Sequence, residues 1–243
     1  MSASGLYVGC AGWSLPRAEW DHFPSQGSHL ERYATRFPAV EIDSSFYRTH
    51  RPATYARWAA SVPPSFRFAL KLPRTITHEA GLRDTKSLLD AFLAGALSLG
   101  PQLGCLLMQL PPSLEFIPEI VERFLVALRD RHSGHVVAEP RHPGWFVDEA
   151  EQLLRRFQVA RVAADPAPVP AAASPGGWPP VVYYRLHGSP RMYYSSYSPN
   201  YLAGLAARLT SHARPETPVW CIFDNTALGA ATSNALELLR RLG

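Results

Sequence analysis

The sequence predicts one (β/α)8 barrel of the TIM type, on three observations. Eight short apolar runs alternate with amphipathic helical stretches, the pattern of parallel strands joined by helical crossovers. The chain has 243 residues, close to the usual length for eight such units. Polar side chains gather late in most of the runs, and the C-terminal strand ends are where such barrels carry their sites. A doubly wound open sheet is the competing architecture.

The runs follow in order. "LYVGCAGW" (6–13) precedes a helical stretch at 28–37, and "AVEIDSSFY" (39–47) precedes one at 53–62. "FRFALKLP" (66–73) leads to 84–99 and "GCLLMQLPP" (104–112) to 117–132. In that last stretch Ile117, Ile120, Val121, Phe124, Leu125 and Leu128 keep a helical rhythm. "HVVAEPRHP" (135–143) leads to 145–158, and "VARVAADP" (159–166) has no helix after it. Between Asp165 and Val181 the chain reads "PAPVPAAASPGGWPP", and six prolines exclude a helix there. The crossover between the sixth and seventh strands is therefore irregular. It is no domain linker, because the strands on both sides are needed for closure. "VVYYRLHG" (181–188) and "VWCIFDNT" (219–226) complete the set, with helices at 200–213 and 233–242, so residues 1–243 read as one domain.

Composition narrows the function classes. Apolar residues make up 47% and charged residues 18%, which supports a large core and excludes wholesale disorder. Net charge is +4, compatible with an anionic ligand, but no Lys/Arg cluster of nucleic-acid-binding length is present. Lysine occurs only at Lys71 and Lys86 against twenty-two arginines, so Lys71, late in a strand, stands where Arg will not serve. Three scattered cysteines without a CxxC pair fit a reducing compartment, each as a small buried apolar residue. "MSASGLYVGC" shows no targeting segment, so a cytoplasmic location is expected. Residues 91–114 carry no charge, yet Gly100-Pro101 divides them into a helix end, a turn and a buried strand rather than a membrane span.

Alternation of faces along a strand sorts the polar groups. Val40 and Ile42 oppose Glu41 and Asp43; Phe68, Leu70 and Leu72 oppose Arg67, Ala69 and Lys71. Gln109 shares the phase of Leu107, and Val136 and Ala138 oppose Val137, Glu139 and Arg141. Tyr183, Arg185 and His187 share a phase, and the eighth run ends in Asp224-Asn225. These groups converge on the mouth of the barrel, with His142 at its rim. A structural ion-pair network is an equal reading for any one residue; the convergence of the whole ring favours a site.

The motifs "YVGCAGW", "VEIDSSFYR", "LKLPRTITH", "LLMQLPPS", "EPRHPGW", "YYRLHG" and "FDNTALGAATSNALEL" resemble, in order, those of the domain-of-unknown-function-seventy-two family, the YecE-like proteins. The resemblance implies a TIM-type barrel, distantly similar in shape to the xylose-isomerase and endonuclease IV group, and supplies no reaction. It covers Glu41, Lys71, His78, Gln109, Glu139, Arg141, His142, Arg185, His187 and Asn225. The chain departs from the pattern at Cys10, where a small hydroxyl residue is usual, and at Pro140, where an aromatic is. It also has Asp43 and Asp224 where Asn is common. A thiol mechanism is discounted accordingly.

Four chemistries suit these residues. The first is acid–base catalysis on a polar or anionic, carboxylate- or phosphate-bearing substrate. Glu139 and Glu41 act as carboxylates, His187 carries the proton, and Arg141 and Arg185 clamp the anion, with Gln109, His142 and Asn225 completing its surroundings. The second is a divalent metal held by some of Glu41, Glu139, His142, Asp165, His187 and Asp224, though no compact ligand motif exists and nearby cations oppose it. The third gives Lys71 a Schiff-base or proton-transfer role, against an ion pair with Glu41 or Glu139. The fourth is nucleic-acid or phosphorylated-ligand binding without turnover. It rests on "GSPRMYYSSYSPNYL", where Arg191 stands among tyrosines that include Tyr193 and Tyr197; the same loop can instead pack on itself as a lid. "HPGW" reads as a turn and "LPPS" as the end of the fourth strand, Trp13 and Trp145 as packing, and the helix start near Gly229 and Thr232-Ser233 as a phosphate locus by analogy with other barrels.

Overall fold

A computed structural model describes residues 5–243; residues 1–4 of the opening stretch lie outside it. Among the described residues ten strands form: β1 (Leu6–Cys10), β2 (Ala39–Ile42), β3 (Arg67–Lys71), β4 (Leu103–Gln109), β5 (His135–Glu139), β6 (Val159–Arg161), β7 (Ala163–Asp165), β8 (Gly176–Gly177), β9 (Val182–Leu186) and β10 (Val219–Phe223). The helices are α1 (His29–Ala34), α2 (Pro52–Ala60), α3 (Lys86–Ala96), α4 (Pro118–Arg129), α5 (Asp148–Arg156), α6 (Pro199–His212) and α7 (Ala230–Leu242). Each overlaps a stretch where periodicity predicts a helix. A π-helical turn, Thr75–Glu79, follows β3 and carries His78. The uncharged stretch breaks as its Gly-Pro pair requires, with Gly100 at φ 57°, and no helix among the described residues is long and apolar enough to cross a membrane.

The strands form two sheets where the sequence predicts one closed barrel. One has the order β1-β10-β9-β7 and the other β2-β3-β4-β5-β6-β8; every pairing is parallel except β6 with β8. Two local causes interrupt the ladder. The sixth run is a single strand on sequence, but it changes partner at Val162, so β6 pairs with β5 and β7 with β9. Between β1 and β2 a side chain occupies the seam. The Tyr33 hydroxyl accepts from the Cys10 N–H at 2.8 Å and donates to the Ala39 carbonyl at 3.0 Å. Gly9 is required beside it, since a Cβ there would stand 2.1 Å from the Ala39 oxygen. Beyond the hydroxyl the backbones meet directly at an Ala11–Glu41 bridge, where the Gly12 N–H donates to the Glu41 carbonyl at 2.8 Å.

The inner faces of both sheets nevertheless share one apolar cluster. Ala39, Ala69, Cys105, Leu107, Val137 and Ala160 of one sheet meet Tyr183, Trp220 and Ile222 of the other. The opposite faces pack under the helices, with Leu70, Leu106, Val136 and Phe223 in the larger core. The three cysteines are buried and free, and burial pushes the Cys10 thiol up to about 12. The Pro-rich crossover has no α-helix, as its composition demands. It is tied down instead: Arg161 Nη1 donates to the carbonyls of Ala171 and Ser174, and Glu151 accepts from the Gly177 N–H. That anchoring makes the two-residue strand β8, which no sequence signal announces.

The seam yields a test. Tyr33→Phe leaves a buried N–H and a buried carbonyl without their partner, and its expected cost is about 1–3 kcal/mol in urea-induced unfolding. An unchanged midpoint would show that the hydroxyl bridge contributes nothing.

Candidate active site

Because β-strand side chains alternate, the inward phases of β2, β3, β5 and β9 deliver Glu41, Lys71, Glu139 and Arg185 to the space between the sheets. His187 and Asp224 follow just past β9 and β10. Arg185 is the hub and is only 2% exposed. Its Nη2 lies 2.7 Å from Glu41 Oε1 and 3.1 Å from Asp224 Oδ2, while its Nη1 donates to Glu139 Oε2 at 3.2 Å. Glu41 takes further bonds from Arg185 Nε and, at 2.8 Å, from the Tyr183 hydroxyl. One guanidinium therefore gathers carboxylates from three separate strand ends.

His187 is fully buried between two of these carboxylates. Its Nδ1 is 2.9 Å from Asp224 Oδ2 and its Nε2 is 2.7 Å from Glu139 Oε1. Arg141 reaches the same Glu139 oxygen with Nη2 at 2.5 Å and abuts His187 Nε2. A guanidinium only donates, so Arg141 and the imidazole compete for that oxygen. Arg141 spends Nη2 alone on the network: its Nε and Nη1 make no hydrogen bond among the described residues, and its side chain is 11% exposed. Lys71 donates to Asp43 Oδ1 at 2.8 Å and lies 4.2 Å from the centre of the Phe46 ring.

The electrostatics split the carboxylates. Burial alone would raise Glu139, but His187, Arg185 and Arg141 outweigh it and hold its carboxyl well below the usual range. Asp224 is likewise lowered, with Arg185 and His187 overcoming burial. Glu41 goes the other way, because its burial exceeds the attraction of Arg185. Burial and the Glu41 charge drive Tyr183 well above the ordinary phenol, so it remains a donor.

The residues that sequence singles out divide into two groups. Glu41, Lys71, Glu139, Arg141, Arg185 and His187 come together as described. Four others stand outside that cluster, two of them bonded within their own loops: His142 Nδ1 accepts from the Gly144 N–H at 3.0 Å, and Gln109 donates to the Leu110 carbonyl. Asn225 donates to Ser195 and Asn234, and the Tyr197 hydroxyl bonds Asp165 and the Gly188 N–H. Tyr193 packs edge-on to His187 with ring centres 5.8 Å apart. The partner of Lys71 is Asp43, not the expected Glu41 or Glu139, because Arg185 already occupies both of those carboxylates. Sequence reasoning missed Phe46 beside Lys71, Tyr183 as a donor to Glu41, and Asp224 as the second partner of His187. The strand phase of Tyr183 was the available signal. Among the described residues no three His, Cys, Asp or Glu side chains are arranged to hold a metal ion, and Arg185 fills the space between the carboxylates that sequence offers as ligands.

Comparison with known proteins agrees with this geometry in fold and goes no further in chemistry. The family model described as "Protein of unknown function DUF72" matches residues 7–243. The UPF0759 protein YecE of Escherichia coli K12 is 34% identical over 174 residues, 69% of this chain and 61% of that protein. The UPF0759 protein YunF of Bacillus subtilis 168 is 29% identical over 147 residues, 58% of this chain and 52% of that one. The matches thus span little more than half the length of these relatives. Crystal structures of DUF72 family proteins from Enterococcus faecalis V583 and Thermotoga maritima MSB8 superpose with TM-scores of 0.81 and 0.79. Their identities are 22% and 23%, with 98% of this chain covered in each and 95% and 99% of theirs.

Two measurements test the network. Glu139→Gln removes one partner of a buried cluster, and the expected loss at pH 7 is about 3–5 kcal/mol. A carboxylate held below its unfolded value stabilises the fold above that value, and the contribution is lost as pH falls through about 4 and below. The variant's stability should therefore decline less than that of the parent between about pH 4 and pH 2. Parallel acid limbs would show that Glu139 is not held ionised by the fold.

Proposed function

The chain belongs to the family described as "Protein of unknown function DUF72", and on that premise we propose that it is an enzyme performing acid–base chemistry on a small polar or anionic substrate. The two sheets are, on this reading, halves of one closed (β/α)8 barrel forming a single domain. The Ala11–Glu41 bridge and the shared inner cluster support that closure. The substrate lies at the C-terminal mouth.

The observation that carries the function is His187 between two carboxylates, with unspent donors of Arg141 beside its Nε2. Asp224 orients the imidazole through Nδ1, and Nε2, shared with Glu139 and beside Arg141, is the atom that exchanges a proton. A substrate anion accepting from Arg141 Nε or Nη1 would be brought towards that nitrogen, with the Lys71 ammonium as a further charge. Glu139 is held ionised by Arg185, Arg141 and its bond to His187, so it orients His187 better than it takes protons itself. Glu41 and Arg185 position the others across the barrel. Lys71 serves by charge rather than covalently, since Asp43 and Phe46 hold its ammonium.

Titration calorimetry with inorganic phosphate and with small carboxylates tests the anion half of this reading. Arg141→Lys keeps the charge and loses the planar fork, and the affinity should fall about tenfold or more. Equal affinity would remove Arg141 from the site. A screen of phosphate- and carboxylate-bearing compounds tests the catalytic half: turnover should vanish in His187→Gln while binding persists. Binding without turnover of any compound, together with salt-dependent retardation of DNA or RNA, would favour the rival binding-protein reading, for which the Arg191–Tyr194 stack is the supporting contact.

A further inference from the structure

The mouth carries aromatic rings that the acid–base reading leaves unused. Tyr47, on the loop after β2, is 69% exposed, and Tyr193, on the loop after β9, is 44% exposed. Each touches a residue that borders the charged cluster. Tyr47 meets Phe46 edge-on at 5.0 Å, and the Phe46 ring contacts the Lys71 ammonium. Tyr193 stands over His187, and the neighbouring Tyr194 ring lies 3.9 Å from the Arg191 guanidinium carbon.

Tyr193 is held in place at some cost. Its φ is 68°, a left-handed conformation uncommon for a bulky residue. Both of its backbone polar groups are engaged, the N–H with the His187 carbonyl at 2.5 Å and the carbonyl with the Ala227 N–H at 3.1 Å. Exposed rings contribute little to folding, so a strained, anchored tyrosine above the charged centre points to a ligand surface.

We infer that the ligand of this site is a phosphate monoester joined to a flat aromatic ring, as in a nucleoside monophosphate. The inference rests on the anion-binding reading above and names its substrate class. The phosphate takes Arg141 and Lys71, and the base stacks on Tyr193 or Tyr47. Depth selects a terminal phosphate. The side chains of Lys71 and Arg141 are only 8% and 11% exposed, below the rim rings, so an internal phosphodiester would have to bury both flanking nucleotides to reach them. The carboxylates at the same depth each have a cationic partner, though one of these is shared: Asp43 pairs with Lys71, Glu139 with Arg141 and Arg185, and Glu41 and Asp224 with the same Arg185.

Titration of the full chain with AMP, GMP, CMP and UMP, with inorganic phosphate, and with an oligonucleotide lacking terminal phosphates tests the inference. At least one monophosphate should bind roughly tenfold tighter than inorganic phosphate, the gain from one stacked base. Tyr193→Ala or Tyr47→Ala should reduce that ratio severalfold. Equal affinities for phosphate and all four nucleotides, or ratios unchanged in both variants, would overturn the ring-binding inference while leaving the anion site standing. Tighter binding of the oligonucleotide than of any monophosphate would overturn it in favour of a nucleic-acid surface. Failure of phosphate and nucleotides alike to bind would overturn this inference, and failure of small carboxylates as well would overturn the anion reading with it.

Discussion

A guanidinium that is 2% exposed must find its counter-charge inside the protein, and Arg185 imposes that requirement on the rest of the structure. Its partners, Glu41, Glu139 and Asp224, come from β2, β5 and the end of β10. Those strands belong to both sheets, so the charge cluster bridges the places where backbone pairing is interrupted. Apolar packing from Leu107, Val137, Tyr183 and Trp220 fills the space beside it. The hydrocarbon part gives cohesion without direction, whereas the ionic part admits only one arrangement of these strand ends.

The surroundings of His187 are a consequence of the same constraint. Arg185 holds one oxygen of Glu139 and leaves the other for His187 and Arg141. It also holds Asp224 where His187 Nδ1 can use it. The imidazole is thereby fixed by two carboxylates that are themselves fixed, a layered support of the kind that sites need in order to keep their geometry. The loop after β9 completes the arrangement. Tyr197 bonds Asp165 and the Ser195 carbonyl accepts from Asn225, so the loop that carries Tyr193 is tied to the ends of β7 and β10.

Much of this was legible before any coordinates. Period-two alternation placed Glu41, Lys71, Glu139, Arg185 and His187 on the inner phase, and these five do converge. Pairings were less legible, because alternation gives a face and a depth but no azimuth. Lys71 illustrates the limit: its strand phase faced Glu41 and Glu139, yet Arg185 outcompetes an ammonium for both, since its fork can serve several oxygens at once. His142 illustrates another. It shares the EPRHPGW motif with Glu139 and Arg141, but proline and glycine turn the chain so that its ring caps the turn.

By itself the sequence determined what local and periodic forces control: helices at the predicted stretches, the helix-free proline-rich crossover, the break at Gly100 and the inward polar phase. Tertiary structure alone decided what depends on distant groups meeting. The hydroxyl of Tyr33, 23 residues beyond Cys10 in the chain, replaces a ladder bond at the first seam, and one strand changes partner at Val162 at the second. The identity of each ion pair was decided there too, because burial makes every charge seek the partner with the best geometry, whatever its distance along the chain.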